Sequence, residues 1–108
     1  MKNGLIVDYI GNKRWYLNDK LHREDGPAVE YTNGNNKWYQ YDKLHRIDGP
    51  AIEWFDGKKF WYINGLLHRL DGPAIEHYDQ DTWYINNNKV DCKNNEEFLR
   101  IIKMKAFW

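Results

Sequence analysis

A 23-residue repeat constrains the fold of this chain more than any other feature of its sequence. The string Leu-His-Arg-x-Asp-Gly-Pro-Ala occurs three times, beginning at Leu21, Leu44 and Leu67, so consecutive copies are 23 residues apart. The dipeptide Trp-Tyr recurs with nearly the same period, and a glutamate follows each proline of the string by three residues. A short fixed period indicates a row of equivalent units, each burying its apolar residues against the next.

Within each unit the residues alternate with a period of two, which is typical of β-strands. In the second unit, Ala51-Ile52-Glu53-Trp54-Phe55 and Lys59-Phe60-Trp61-Tyr62-Ile63 are rich in branched and aromatic residues. The Asp56-Gly57 pair between them predicts a tight hairpin turn, and Asn64-Gly65 predicts a second turn into a short third strand. We therefore expect a mainly β fold, an antiparallel β-hairpin repeat meander of about eight short strands.

The Asp-Gly-Pro step at the end of each unit predicts a linker, because proline cannot donate a hydrogen bond to a central strand. The glycine before the proline is expected to supply an unusual backbone dihedral. Replacing Gly72 and Pro73 with alanine is therefore expected to destabilise the fold.

The fourth copy of the repeat changes character after Val90, where Asp91-Cys92-Lys93-Asn94-Asn95 replaces the histidine-arginine string. An asparagine cap followed by two glutamates predicts the start of a helix. Apolar residues then recur at helical spacing at Phe98, Ile101 and Ile102. We expect one domain over residues 1–108, with the β-repeat array in 1–92 and a capping α-helix in 94–106 that covers the end of the array.

Composition excludes several classes of function. The chain has 16 basic and 16 acidic residues and a formal net charge of zero, so it lacks the basic field of a nucleic-acid binder or a polybasic membrane protein. A single cysteine, Cys92, excludes an internal disulfide, and the first ten residues do not read as an export signal. We therefore expect a cytoplasmic protein, with direct nucleic-acid binding disfavoured and no membrane partner.

The aromatic hairpins and the step Gly65-Leu66-Leu67-His68 resemble a MORN-type repeat, and the resemblance spans roughly Val7 to Val90. This chain continues His-Arg-x-Asp-Gly-Pro-Ala where the usual repeat continues His-Gly-x-Gly. It is similar to a variant repeat that is frequent in phage and bacterial mobile-element proteins. The resemblance implies a β-hairpin array that serves as an interaction surface and has no shared catalytic residue.

The repeated histidine, arginine and aspartate are interpreted as structural. Two strands per unit at about 4.8 Å each place equivalent positions roughly 10 Å apart, too far for the histidines to share one metal ion. An active site is a single constellation, whereas these residues come in three copies. We expect them to stabilise the turns between units, with each arginine near an acidic residue and stacked on an aromatic ring. The structural set is His22, Arg23, Asp25, His45, Arg46, Asp48, His68, Arg69 and Asp71, and we expect no catalytic residue, metal or cofactor.

Positions that differ between the units are candidates for partner binding. Several of them are aromatic, and exposed aromatics on a rigid sheet are typical anchors of protein interfaces. The alternative is that these side chains fill the core. The candidates are Tyr31, Tyr41, Trp54, Phe55, His77 and Tyr78. Ile47 and Leu70 vary in the same way, because the first unit has Glu24 at their position.

These patterns predict a non-catalytic module for protein–protein interaction, with another protein, a host protein or complex, as its partner. The phage-type repeat gives this prediction a concrete form, an inhibitor of a bacterial defence complex such as an anti-CRISPR protein, acting in the host cytoplasm. The alternative is a carbohydrate or cell-wall ligand module that uses the repeated Trp-Tyr pairs as stacking platforms. A homodimer through the N-terminal edge strand, Leu5 to Ile10, is also left open.

Overall fold

The computed structural model describes residues 1–104, which form fourteen short β-strands and one α-helix. The strands are β1 (Gly4–Val7), β2 (Lys13–Leu17), β3 (Lys20–Leu21), β4 (Val29–Glu30), β5 (Asn36–Lys37), β6 (Tyr39–Gln40), β7 (Lys43–Leu44), β8 (Ile52–Glu53), β9 (Lys59–Phe60), β10 (Tyr62–Ile63), β11 (Leu66–Leu67), β12 (Ile75–Glu76), β13 (Trp83–Ile85) and β14 (Asn88–Val90). The helix α1 is Asn95–Met104, and positions 105–106 of the predicted helix lie outside the described residues. The predicted class, a mainly β antiparallel meander with a C-terminal helix, is confirmed.

The strands form two series of hairpins. One series builds a continuous antiparallel sheet in the order β1-β2-β4-β5-β8-β9-β12, to which β3 adds by pairing with β2. The other series consists of the hairpins β2-β3, β6-β7, β10-β11 and β13-β14, and the first of these also belongs to the long sheet through β2. Each unit therefore contributes one hairpin to the long sheet and one hairpin to the second series.

The predicted strand from Lys59 to Ile63 is divided at Trp61, which corrects the expectation of about eight strands. The Trp61 N–H donates to the carbonyl of Ala74 in the next unit, at 2.7 Å. Its own carbonyl accepts from the N–H of His68, at 3.0 Å. The backbone thus changes partner at the tryptophan, and the chain passes from the long sheet into the second hairpin.

Both turns predicted in each unit are present, and they are of two kinds. Asp56-Gly57 belongs to a three-residue loop, in which the Gly57 N–H donates to the Trp54 carbonyl at 2.9 Å and only the glycine is left-handed, at φ +95°. The two-residue turns lie in the second series of hairpins instead. Their central residues all have positive φ, as a type I′ turn requires: Asn18-Asp19, Tyr41-Asp42, Asn64-Gly65 and Asn86-Asn87.

The second hairpins stack through their backbones. The Asp42 N–H donates to the Leu21 carbonyl at 2.9 Å, and the Gly65 N–H donates to the Leu44 carbonyl at 2.8 Å. Asn87 repeats the contact to Leu67 at 2.8 Å. Because each turn binds the last strand of the preceding hairpin, the hairpins are locked in register along the array.

The core is thin and runs the length of the array. The alanine after each proline is fully buried, and the next residue is buried in the first two units: Ala28, Ala51, Ala74, Val29 and Ile52. The Cα extents are 48 × 29 × 18 Å, so the array is long and thin. Among residues 1–104, no helix is long and apolar enough to cross a membrane.

The helix closes the last unit. Asn94 caps it by accepting the Glu97 N–H on its side-chain oxygen, at 2.9 Å. Phe98, which is 0% exposed, packs on the buried cluster of the last hairpin. That cluster contains Trp83, Ile85 and Val90, and Ile101 and Ile102 lie beside it.

Candidate interaction surface

One arginine in each complete unit lies over a tryptophan ring. In the third unit the guanidinium carbon of Arg69 is 3.7 Å from the centroid of Trp61. The Arg69 Nε–H donates to Asp71 at 2.8 Å, and Nη1 donates to the Pro73 carbonyl at 3.1 Å. Arg23 lies over Trp15 at 3.8 Å and Arg46 lies over Trp38 at 4.0 Å, with the same aspartate and proline contacts.

The repeated glutamates complete this arrangement. Glu53 and Glu30 bind the arginines of their own units, at 3.1 and 3.4 Å. Glu76 accepts the indole N–H of Trp61 at 2.9 Å and lies 3.5 Å from Arg69. Their carboxylates therefore balance the partly buried guanidinium charges.

The glycine of each Asp-Gly-Pro step is required for close approach. Gly72 does not lie in the left-handed region, so the dihedral reason given for it above is wrong. A Cβ built on Gly72 would lie 2.6 Å from the guanidinium carbon of Arg69. The guanidinium is thus held between the Trp61 ring and the glycine backbone, and Gly26 and Gly49 repeat this contact.

Each repeated histidine follows one hairpin of the second series and bonds to the turn of the next hairpin in that series. The Nδ1 atom of His68 accepts the backbone N–H of Asn86, at 3.1 Å, and His45 accepts that of Asn64 at 3.0 Å. His22 accepts the N–H of Tyr41 at 3.2 Å. This bond needs an unprotonated Nδ1, and burial lowers the pKa of His68 below its ordinary value, which favours the neutral ring.

These contacts occupy the residues that recur in every unit. One face of each of three tryptophan rings is covered by arginine, which removes it as a stacking surface for a sugar. Within the described part of the chain, no buried side-chain polar atom lacks a hydrogen-bond partner, and no three metal-binding side chains converge. The repeated residues are therefore engaged in contacts with one another.

The variable aromatics of the long sheet lie on its loops. We call the three equivalent loops, 31–34, 54–57 and 77–80, the turn ridge. Tyr78 is 88% exposed, Phe55 is 70% exposed and Trp54 is 40% exposed. The alternative that such residues fill the core is therefore excluded for these three side chains. Tyr31 and His77 are half-buried at the foot of the ridge.

Asparagine side chains beneath the turn ridge hold two of its three loops, 31–34 and 54–57. The side-chain oxygen of Asn35 accepts the Phe55 N–H at 2.8 Å, and that of Asn12 accepts the Thr32 N–H at 2.9 Å. Asn35 is itself buried. The loop that carries Trp54 and Phe55 is consequently held in place before any partner binds.

The remaining candidate, Tyr41, lies elsewhere. It occupies the first left-handed position of a two-residue turn in the second series, at φ 47°. Its ring packs against His22, tilted by 40°, with centroids 4.3 Å apart. The extended segment 35–40 separates it from the turn ridge. The six candidates therefore divide between two surfaces and do not form one continuous patch.

A second apolar surface was absent from the predicted binding set. Ile47 is 80% exposed and Leu70 is 53% exposed, and with Ile63 they line a shallow groove of about 350 Å³ whose wall includes Trp61 and Arg69. The sequence did hold a signal for it, because the first unit carries Glu24 where Ile47 and Leu70 stand.

Cys92 does not have the environment of a nucleophile. Burial, with Glu97 and Asp91 nearby, raises the pKa of its thiol, and Sγ lies 3.7 Å from the Val90 carbonyl. The reactive thiolate is therefore disfavoured.

Comparison with known proteins adds no family. No family model, curated protein or solved structure matches the chain. The MORN-like repeat and its phage-type variant stay predictions from the sequence.

Proposed function

We propose that this chain is a non-catalytic interaction module that binds one partner protein through the turn ridge. The proposal is based on the difference between the repeated positions and the variable positions. The residues common to all units bind one another, whereas three large aromatics at variable positions are exposed on loops, and the loop of Trp54 and Phe55 is bonded from below by Asn35. Rigid exposed aromatics are the usual energetic centres of protein interfaces. The concrete form that we propose is a cytoplasmic inhibitor of a bacterial defence complex, which rests on the phage-type repeat alone.

Tyr41 supports a second contact with the same partner. A bulky residue at positive φ is strained, and the equivalent turns have Asn64 and Asn86 at this position. Such a departure from the local preference, at a side chain that is 55% exposed, is typical of a functional position.

The repeat itself supplies matched substitutions for the test. Phe55→Thr places at the ridge the residue that the first unit already has at Thr32, so the scaffold tolerates it. Wild type and variant are used as baits in a bacterial lysate, captured proteins are identified by mass spectrometry, and 1:1 binding of the purified partner is measured by calorimetry. We expect Phe55→Thr and Tyr78→Thr to weaken binding by at least about 1–2 kcal/mol, the scale of interface hot spots, with unchanged melting. Thr32→Ala is the control and should bind as wild type does.

A glycan array run beside the capture tests the carbohydrate alternative. Repeated sites would bind several copies of a sugar weakly, whereas one protein partner binds once. Sugar binding that survives Phe55→Thr, without a protein partner, would refute the proposal.

A further inference from the structure

The outer edge of β1 is an exposed, unpaired edge of the long sheet. Among residues 1–104 no strand pairs with the outer side of β1, which ends the eight-stranded sheet. All four of its residues are exposed, and Leu5, Ile6 and Val7 carry no charge. Natural edge strands are usually blunted by a lysine, a proline or a bulge, and none stands within Gly4–Val7.

The register of the sheet shows which backbone groups of β1 are unpaired. The Trp15 N–H donates to Ala28 and its carbonyl accepts from His22, so Trp15 faces away from β1. Arg14 and Tyr16, on either side, must then face β1, where they pair with Ile6 and Gly4. Because successive residues of a strand point their backbone groups to opposite sides, the N–H and C=O groups of Leu5 and Val7 face the open edge.

We propose that this edge pairs with the β1 edge of a second copy, antiparallel and centred on Ile6, and that the chain forms a two-fold dimer. In that register Leu5 and Val7 of one copy lie opposite Val7 and Leu5 of the other and exchange four backbone hydrogen bonds. Ile6 meets its own equivalent in the closely spaced, non-hydrogen-bonded position.

Charge and closure favour a second copy over another occupant. A partner strand must be apolar on both faces, since Leu5 and Ile6 point to opposite faces and both are exposed, and β1 itself meets this need. The proposed register places no two like charges opposite each other within Gly4–Asp8, and the net charge of the chain is zero. The far side of β12 is already bonded, as Ile75 and Thr82 exchange two hydrogen bonds of 3.0 Å. Pairing therefore closes at two copies.

The first test measures mass against concentration. We expect sedimentation equilibrium to show a rise from 13.1 kDa towards twice that mass between about 10 and about 500 µM, because so short an edge makes a weak interface. Ile6→Lys places two like charges across the two-fold axis and should remain monomeric with an unchanged melting curve. Tyr9→Lys, an exposed position outside the pairing, is the control and should dimerise. An equimolar mixture of Ile6→Lys and Ile6→Glu should restore the dimer.

The second test traps the pair and does not depend on affinity. In a Cys92→Ser background, Ile6→Cys should form an intermolecular disulfide under mild oxidation, because the two Cα atoms would lie about 4.5 Å apart. Tyr9→Cys, which faces Asn3 of the second copy in this register, should not. A wild type that stays monomeric at all concentrations would overturn the proposal. So would a dimer that survives Ile6→Lys, a mixture that fails to restore it, or equal crosslinking of the two cysteine variants.

Discussion

The substitution Gly72→Ala tests whether the contact of arginine with tryptophan holds each unit together. The added Cβ would lie 2.6 Å from the guanidinium carbon of Arg69, so the guanidinium must leave its place over Trp61. An arginine side chain without other contacts would move away from the added Cβ at little cost in free energy. Arg69, however, is fixed by Asp71 at 2.8 Å and by the Pro73 carbonyl at 3.1 Å.

The expected cost follows from what the arginine loses. A partly buried cation–π contact is worth about 0.5–2 kcal/mol, and one hydrogen bond to a charged group about 1.5–3 kcal/mol. Alanine restores about 0.4–1 kcal/mol by restricting the unfolded chain, because Gly72 does not need a left-handed φ. The net loss in free energy of unfolding is about 2 kcal/mol, which corresponds to a fall in melting temperature of roughly 10 °C.

Urea denaturation of four proteins tests whether the Arg69 guanidinium causes the loss of stability in Gly72→Ala. They are wild type, Gly72→Ala, Arg69→Ala and the double variant. If the guanidinium is the obstacle, Gly72→Ala is neutral or slightly stabilising once Arg69 is absent. An equal cost in both backgrounds would refute the reasoning and would place the constraint in the backbone.

Three further predictions concern the histidine contacts, the strained turn and the helix. Because burial lowers the pKa of His68, the unfolded chain takes up a proton first as the pH falls below the ordinary value of 6.5. Stability is therefore lost from that pH downward until the folded ring also protonates, and His68→Asn should flatten this dependence of the urea midpoint between about pH 7.5 and 5. Tyr41→Asn should raise the free energy of unfolding by about 0.5–1 kcal/mol in urea titrations, since relief of a left-handed tyrosine outweighs the lost stack on His22; a fall would show that the stack dominates. Phe98→Ala should cost about 3–5 kcal/mol by thermal melting, because the ring is fully buried against the last hairpin, and a loss below about 1 kcal/mol would show that the helix is not required as a cap.

The candidate surface could be predicted only in part. Comparison of the units marked Phe55 and Tyr78 as variable, and both are exposed on the turn ridge. The same comparison grouped Tyr41 with them, although it belongs to the other series of turns. Sequence spacing cannot separate two surfaces when the chain crosses between them at a tryptophan whose two backbone groups bind different segments.

The sequence alone determined the period, the β class, the hairpin-repeat plan and the C-terminal helix, because each depends on local periodicity, turn residues and caps. It also indicated the pairing of each arginine with an aspartate two residues later. The tertiary structure decided the contacts between segments that are distant in sequence. The histidine Nδ1 binds a turn about 18–19 residues away, the glycine makes room for a guanidinium, and the strand divides where its partner changes. These features arise from the close approach of segments that are distant in sequence, and only the folded chain brings them together.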